Sequence, residues 1–139
     1  MNGRLPLRSN CKSLVIKVGS AVLSDGTQFD EASFSNLVQG VVELRKAGID
    51  VTVVCSGAVA LGRTELGWKE RPKRLSFLQA AASIGQGILA AKWSELLYPF
   101  GLTSAQVLLT HDDLKNRRRF IAARQTLRAL LEVGAVPII

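Results

Sequence analysis

At 139 residues with 47% hydrophobic content, the chain is long enough for one ordinary domain with its own core. It has no apolar run long enough to span a bilayer, and its first residues lack the apolar centre of a signal peptide, which argues against membrane insertion and secretion. A net charge of +7 permits an anionic partner, but no nucleic-acid motif accompanies the basic residues, which favours solvated helix surfaces over specific nucleic-acid binding.

The first predicted elements are a strand, a helix and a second strand. An apolar, β-branched run within 13–20 and another over 51–55 have the length and the glycine boundaries of strands buried on both faces. Between them, after a turn at 24–27, Asp30 is predicted to cap a helix that runs to about Ala47. The apolar stripe expected on this helix is Phe34, Leu37, Val38, Val41 and Val42.

The rest of the chain continues the alternation. The second strand leads into a helical stretch that ends at Gly67, and Pro72 is expected in the first turn of a longer helix. A third strand is predicted over 102–110 and a fourth over 135–139, with a helix between them. The apolar stripes expected are Leu75, Leu78, Ala82, Gly85, Leu89 and Leu96 in the longer helix, and Phe120, Ala123, Leu127, Leu130 and Leu131 in the last one. The order β-α-β-α-α-β-α-β predicts a parallel sheet covered on both faces.

The first two strands both end in polar residues that suit an anion. Lys17, Gly19 and Ser20 offer an ammonium, open backbone N–H groups and a hydroxyl, which are the parts of a phosphate site. The segment Ser56-Gly57-Ala58 offers a hydroxyl and the free amides of a helix start, which suit a carboxylate or a phosphate. Because ligands of open α/β sheets bind beyond the carboxyl ends of the strands, the two strand tips predict one cleft. The alternatives are a solvated lysine and an ordinary helix cap at Ser56.

Other candidate sites have less support. The segment 57–64 nearly matches a P-loop, but arginine replaces the lysine and apolar helix formers fill the interval, so we reject that interpretation. The segment 85–90 imitates a dinucleotide-binding motif inside a long helix, which favours close helix packing. His111 is the only histidine, which gives a catalytic triad little support. Asp112 and Asp113 are expected to cap the last helix and not to bind a metal.

The two cysteines indicate a reducing compartment. Cys11 and Cys55 form no Cys-x-x-Cys pair, and Cys55 ends a predicted buried strand. We therefore expect free thiols, a cytoplasmic location and no metal site, since a zinc site has too few plausible ligands.

The two strand tips belong to a pattern that extends over nearly the whole chain. Its segments are Val15–Leu23, Ser56–Arg63, Ala81–Gln86, Gln106–Thr110, and Thr126–Leu131 with Val136–Ile139. In these segments the chain resembles the amino acid kinase family. Ser-Gly-Ala after the second strand, where other members carry Gly-Gly, is similar to the subfamily that phosphorylates the side-chain carboxylate of glutamate in the first step of proline biosynthesis. The resemblance implies a three-layer α/β sandwich with a parallel sheet, truncated after the fourth main strand.

The resemblance also implies roles for the site residues. Lys17 would be catalytic and would contact the transferring phosphoryl group of ATP, Gly19 and Ser20 would line the phosphate site, and Ser56-Gly57-Ala58 would hold L-glutamate. Mg²⁺ would be bound with the nucleotide, and the product would be an acyl phosphate. A carboxylate acceptor with an ordinary pKa of about 4.3 is already ionised at neutral pH, so positioning and charge neutralisation suffice for catalysis.

By the same resemblance, residues 13–139 would be the amino-terminal, substrate-side part of a longer homo-oligomeric kinase, preceded by a flexible segment over 1–12. In the family, the strand that ends here at Ile139 continues into substrate ligands, and later segments supply a catalytic aspartate, a second lysine and the nucleotide lobe. The chain alone is therefore expected to be an inactive fragment. Two alternatives stay open: another amino acid kinase with a different acceptor, and a non-catalytic module that binds anions or nucleic acid through its basic helices.

Overall fold

The fold is known from a computed structural model that describes residues 11–23 and 29–139. The turn predicted at 24–27, and all but the end of the segment 1–12, lie outside the described residues. The strands are β1 (Ser13–Val18), β2 (Asp50–Cys55), β3 (Ser104–Gln106) and β4 (Val136–Ile138). The helices are α1 (Ser20–Leu23), α2 (Glu31–Lys46), α3 (Ala58–Glu65), α4 (Leu75–Leu97), α5 (His111–Lys115) and α6 (Arg117–Glu132), with a 3-10 turn at Tyr98–Phe100.

The strands form one parallel sheet in the order β1-β2-β4-β3. β1 and β2 pair over their whole length, and their last residues, Val18 and Cys55, lie opposite each other. β4 reaches the same edge of the sheet, because the Cys55 N–H donates to the Ile139 carbonyl at 2.8 Å. The predicted parallel sheet is confirmed, and the carboxyl ends of β1, β2 and β4 meet at one edge.

α2 forms where the sequence supplies both an N-cap and an apolar stripe with helical spacing. The Asp30 carboxylate accepts the Ser33 N–H at 2.9 Å, as the cap prediction requires. Of the predicted stripe, Leu37 is half-buried and the other four residues are fully buried. The helix is followed by Gly48 with a φ of 77°, a left-handed conformation that glycine adopts without a steric cost. This turn sends the chain directly into β2.

The hydrophobic core lies between the sheet and the helices α2 and α4. Trp93 of α4 is fully buried, and its ring meets Phe34 of α2 edge-on with centroids 4.9 Å apart. α6 lies on the opposite face, because the connection from β3 to β4 reverses direction and a right-handed crossover then changes face. α6 has no buried residue, and Val15 of β1 is 67% exposed. The prediction of helices on both faces is confirmed, although the second face of the described sheet is only partly covered.

α4 differs from its prediction in its start and its buried face. The helix starts at Leu75, so Pro72 lies in the preceding loop, and the prediction of Pro72 in the first turn is wrong. Leu75, expected in the core, is 68% exposed. The buried positions recur every fourth residue and are Ala81, Gly85, Leu89, Trp93 and Leu97. Of the predicted stripe, Gly85 and Leu89 are buried and Leu78, Ala82 and Leu96 are half-buried, so the prediction found part of the buried face. Apolar residues occur all around this helix, and packing against α2 and α3 selected the rest.

The third strand and the last helix also depart from prediction. β3 contains three residues where 102–110 was predicted, and its pairing continues only to the Val107 N–H, which donates to the Ile138 carbonyl at 2.8 Å. Leu108, at the predicted centre of the strand, is 73% exposed. Phe120 of α6, predicted to be buried, is 43% exposed. The apolar pattern predicted burial here, but the described chain supplies no element that covers these side chains.

Candidate functional site

The tips of β1 and β2 meet, as predicted, at the carboxyl edge of the sheet. The Val18 carbonyl accepts two hydrogen bonds from Ser56, one from the backbone N–H at 3.0 Å and one from the hydroxyl at 2.9 Å. These bonds join the segment that follows β2 to the end of β1. The residues predicted for the phosphate site, Lys17, Gly19 and Ser20, therefore lie beside those predicted for the acceptor site, Ser56, Gly57 and Ala58.

Lys17 provides an available positive charge at this edge. Its side chain is exposed, and its Nζ lies 3.5 Å from the position that a Cβ on Gly19 would occupy. Within 11–23 and 29–139, Lys17 forms no ion pair. An anion resting on the Gly19 backbone would thus contact an ammonium that no carboxylate of these residues neutralises.

The hydroxyl of Ser20 lies at the start of a short helix that was not predicted. Ser20 is exposed and opens α1, and the turn is closed by the Val22 N–H, which donates to the Gly19 carbonyl at 3.0 Å. The Leu23 side chain at the other end of α1 is fully buried. The Leu23 carbonyl accepts the Asp30 N–H at 2.9 Å, which ties α1 to the start of α2. The core therefore anchors α1 and leaves its polar first residue at the site.

The acceptor segment is built differently from the ordinary helix cap considered above. The N-cap of α3 is Gly57, no side chain within 11–23 and 29–139 caps this helix, and the Ser56 hydroxyl donates to Val18 instead. The interpretation of Ser56 as a helix cap is therefore wrong. The first-turn amides of α3 have no side-chain acceptor among the described residues and can donate to an anion. A Cβ on Gly57 would lie 3.1 Å from Leu23 Cδ1, so α1 packs directly against this tip.

Cys55, next to the acceptor segment, is unsuited to nucleophilic chemistry. Burial raises the pKa of the Cys55 thiol, and the nearby indole of Trp93 offsets part of the rise. Trp93 Nε1 is buried without a hydrogen-bond partner in the part of the chain that the structure describes, so its influence on the sulfur is that of a nearby dipole. Cys11 and Cys55 are both free, as predicted. A thiol held in its protonated form is a weak nucleophile.

Both glycine-rich motifs discounted above belong to helices. The P-loop-like segment 57–64 forms most of α3, and Gly85 lies in α4 where an added Cβ would come within 1.8 Å of the Ala58 carbonyl oxygen. Close helix packing at Gly85 is thereby confirmed. Sequence reasoning missed its counterpart Gly62, whose added Cβ would lie 1.8 Å from the Ala81 carbonyl oxygen. The spacing of small residues on the two helices was the available signal.

The polar segment after β3 caps a helix. Thr110 caps α5 in a capping box with Asp113, and Asn116 caps α6, so neither predicted aspartate caps the last helix. Hydrogen bonds from the Thr110 side chain and backbone, with the charge of Arg119, lower the pKa of the Asp113 carboxyl. The described residues contain no group of three or more His, Cys, Asp or Glu side chains that could hold a metal ion. They also contain no helix long and apolar enough to cross a membrane.

Three curated proteins named glutamate 5-kinase are similar to this chain. A protein from Thermus thermophilus is 49% identical over 94% of the chain, one from Methylococcus capsulatus 47% over 92%, and one from Pseudomonas putida 46% over 94%. The chain spans 34% to 36% of the length of these relatives.

A solved structure and the family comparison extend this likeness. A T. acidophilum isopentenyl phosphate kinase, solved as a product complex, superposes with a TM-score of 0.52 at 13% identity over 89% of this chain and 53% of that chain, which shows a shared fold. The amino acid kinase family matches residues 12–139, as the sequence segments predicted. This chain belongs to the amino acid kinase family.

Proposed function

We propose that this chain is the substrate-side part of a glutamate 5-kinase. Such an enzyme transfers the terminal phosphoryl group of ATP to the side-chain carboxylate of L-glutamate and produces glutamyl 5-phosphate, the first step of proline biosynthesis. The observation that carries the proposal is the junction of the two strand tips. Ser56 donates two hydrogen bonds to the Val18 carbonyl, next to the exposed Lys17, and leads into a helix start that no side chain of the described residues caps. The identity of 46% to 49% with glutamate 5-kinases supports this choice of acceptor.

The tip of β1 would bind the transferring phosphoryl group of ATP. Its residues fit that group, because Gly19 has no side chain next to the Lys17 ammonium, where a phosphoryl group could approach its backbone, and Ser20 adds a hydroxyl. Mg²⁺ would be bound with the ATP phosphates, where it would neutralise charge. Lys17 is the catalytic residue of this proposal: it stabilises charge on the phosphoryl group as that group passes between donor and acceptor.

The tip of β2 would hold the glutamate. The amides of Gly57 and Ala58 can donate to a carboxylate, because no side chain of the described residues caps them. The Ser56 hydroxyl already donates its proton to Val18, so its oxygen is available to accept a hydrogen bond, for which the glutamate ammonium is suited. With the acceptor ionised at neutral pH, this site needs no general base. Orientation of two anions near one lysine is the main requirement.

The proposal extends to the longer proteins of which this chain matches about a third. We expect a cytoplasmic homo-oligomer in which the nucleotide lobe and further substrate ligands come from the other two thirds. The exposure of Phe77 and Ile84 on α4, at 43% and 39%, is consistent with a contact to a second copy. The 139 residues alone are expected to show no glutamate-dependent turnover of ATP.

A chimaera tests the proposal. Residues 12–139 replace the matched third of the T. thermophilus glutamate 5-kinase, and ADP release is measured with and without L-glutamate. We expect glutamate-dependent turnover from the chimaera. Aspartate, N-acetylglutamate and isopentenyl phosphate serve as competing acceptors, which tests the alternative of a different amino acid kinase.

Two results would contradict the proposal. A folded chimaera that prefers another acceptor would assign the chain to a different kinase of the family. A salt-sensitive affinity of the chain for generic nucleic acid, lost when Arg117, Arg118 and Arg119 are replaced but retained in Lys17→Ala, would favour the binding module instead. Appreciable turnover by the 139 residues alone would contradict the expected inactivity.

A further inference from the structure

α3 and α4 touch backbone to backbone at two glycines. A Cβ added to Gly85 of α4 would lie 1.8 Å from the Ala58 carbonyl oxygen and 2.5 Å from the Gly62 nitrogen, two groups that pair in the first turn of α3. A Cβ added to Gly62 would lie 1.8 Å from the Ala81 carbonyl oxygen of α4. Side-chain carbons essentially never approach other atoms within 3.0 Å. Neither glycine can therefore be replaced without a shift of the backbone.

The contact at Gly85 lies against the amides proposed to bind glutamate. Gly57 and Ala58 form the start of α3, and the Ala58 carbonyl is the group that Gly85 approaches. Leu23 of α1 packs against Gly57, with its Cδ1 3.1 Å from the position of a Cβ there. Since no side chain caps α3 in the described part of the chain, packing by α4 and α1 holds these amides in position.

We infer that Gly85 is a positioning residue for the phosphoryl acceptor: its missing side chain sets where the Gly57 and Ala58 amides lie relative to Lys17. The inference rests on the proposed function. An alanine at position 85 would have to push the first turn of α3 away by about 1.5 Å to restore ordinary contact, and misplacement of about 1 Å lowers rates on the order of a hundredfold where catalysis depends on alignment.

Gly87 offers a matched control two residues along the same helix. It is exposed, and no atom lies within 4 Å of a Cβ added there. Gly87→Ala therefore makes the same chemical change in α4, and the same gain in helix preference, without contact to α3. A difference between the Gly85 and Gly87 variants reports the contact and not the loss of a helical glycine.

The test is an NMR titration of the 139-residue chain with L-glutamate and, separately, with inorganic phosphate. In the unmodified chain and in Gly87→Ala, glutamate is expected to shift the Gly57 and Ala58 amide signals with apparent Kd values that agree within about twofold. In Gly85→Ala, the glutamate Kd should rise by about tenfold or more, while phosphate still shifts the Gly19 amide with unchanged affinity. A variant that keeps its glutamate affinity, or loses both ligands equally, overturns the inference.

Amide hydrogen exchange tests the inference if the titration detects no glutamate binding. If glutamate shifts no amide of the unmodified chain, binding requires the substrate ligands expected from the other two thirds of the protein. The chimaera then tests the proposed function, and the restraint of α3 by Gly85 is tested here without ligand. The Leu61 N–H, which donates to the Gly57 carbonyl at 3.0 Å, should then exchange about ten times faster in Gly85→Ala than in Gly87→Ala. Equal Leu61 exchange rates in the two variants would show that Gly85 does not restrain the first turn of α3 and would overturn the inference.

If Gly85→Ala does not fold, amide hydrogen exchange in the unmodified chain tests the inference. If Gly85 restrains the first turn of α3, the Leu61 amide hydrogen should exchange with solvent as slowly as the Leu89 amide hydrogen in the middle of α4. Rapid exchange at Leu61, as at a frayed helix end, would show that α4 does not hold the first turn and would overturn the inference.

Discussion

Removal of the Lys17 charge should lower phosphoryl transfer by at least about a hundredfold. The Lys17 Nζ lies 3.5 Å from the position of a Gly19 Cβ, so a phosphoryl group bound on the Gly19 backbone would be about 4 Å from the ammonium. At that separation two unit charges interact by about 1 kcal/mol in water and about 4 kcal/mol near a protein surface. Lys17 is exposed until a ligand covers it, so an intermediate value of about 2.7 kcal/mol, or a hundredfold in rate, is expected.

The assay compares Lys17→Ala with two further variants in the chimaera, by glutamate-dependent ADP release at saturating ATP and glutamate. Lys12→Ala is the matched control, because Lys12 is also exposed but lies at the opposite end of β1. It should retain turnover within about twofold of the unmodified chimaera, since its charge is far from the site relative to the Debye length of about 8 Å. Lys17→Arg keeps the charge with a different shape and should fall between the two.

A near-normal turnover in Lys17→Ala would refute the assignment of Lys17 to phosphoryl transfer. Equal losses in the Lys17 and Lys12 variants would also refute it, because they would indicate a general effect of surface charge. A higher KM for ATP with an unchanged kcat would show that Lys17 binds ground state and transition state equally, contrary to a catalytic role.

Three further predictions concern the 139-residue chain itself. Trp93→Ala should lower the free energy of unfolding in urea by about 3 to 5 kcal/mol, because the indole is fully buried against Phe34. Trp93→Phe should lower it by less, because it removes only part of the ring and an N–H that has no partner among the described residues. Cys55 should react with iodoacetamide at about pH 8 more slowly than free cysteine, because its raised pKa leaves less thiolate; an equal rate would contradict this. Thr110→Val should raise the lowered pKa of Asp113 in an NMR titration, since the Thr110 hydroxyl donates to the Asp113 carboxylate; an unchanged pKa would contradict a role for that hydrogen bond.

Local sequence was sufficient to predict the elements whose formation depends on residues close together in the chain. The cap at Asp30 and the apolar stripe of α2 are both present, because capping and helical periodicity act over one or two turns of chain. β1 and β2 were predicted from short β-branched runs between glycines, and their parallel pairing followed from the helix between them. The meeting of the strand tips, where Ser56 donates to the Val18 carbonyl, followed from that topology.

Predictions of burial failed where burial depends on neighbours distant in sequence. Apolar patterns over 102–110 and in α6 predicted more strand and more burial than the structure has, because a pattern does not show whether another element covers it. The apolar character of α4 extends around the helix, so the contact with Phe34 determined that Trp93 faces inward. Close packing at Gly85 was predicted, but its partner, the first turn of α3, was not.

The amino-acid sequence by itself determined the α/β class, the order of the strands and the longer helices, the family resemblance and the polar residues at the two strand tips. The tertiary structure decided how those residues are used. The Ser56 hydroxyl donates to Val18 and does not cap α3, because the register of β1 and β2 brings that carbonyl within 2.9 Å of it. The tertiary structure also decided what the predicted close contact at Gly85 meets, because the partner is distant in sequence: a Cβ at Gly85 would lie 1.8 Å from the Ala58 carbonyl oxygen in the first turn of α3.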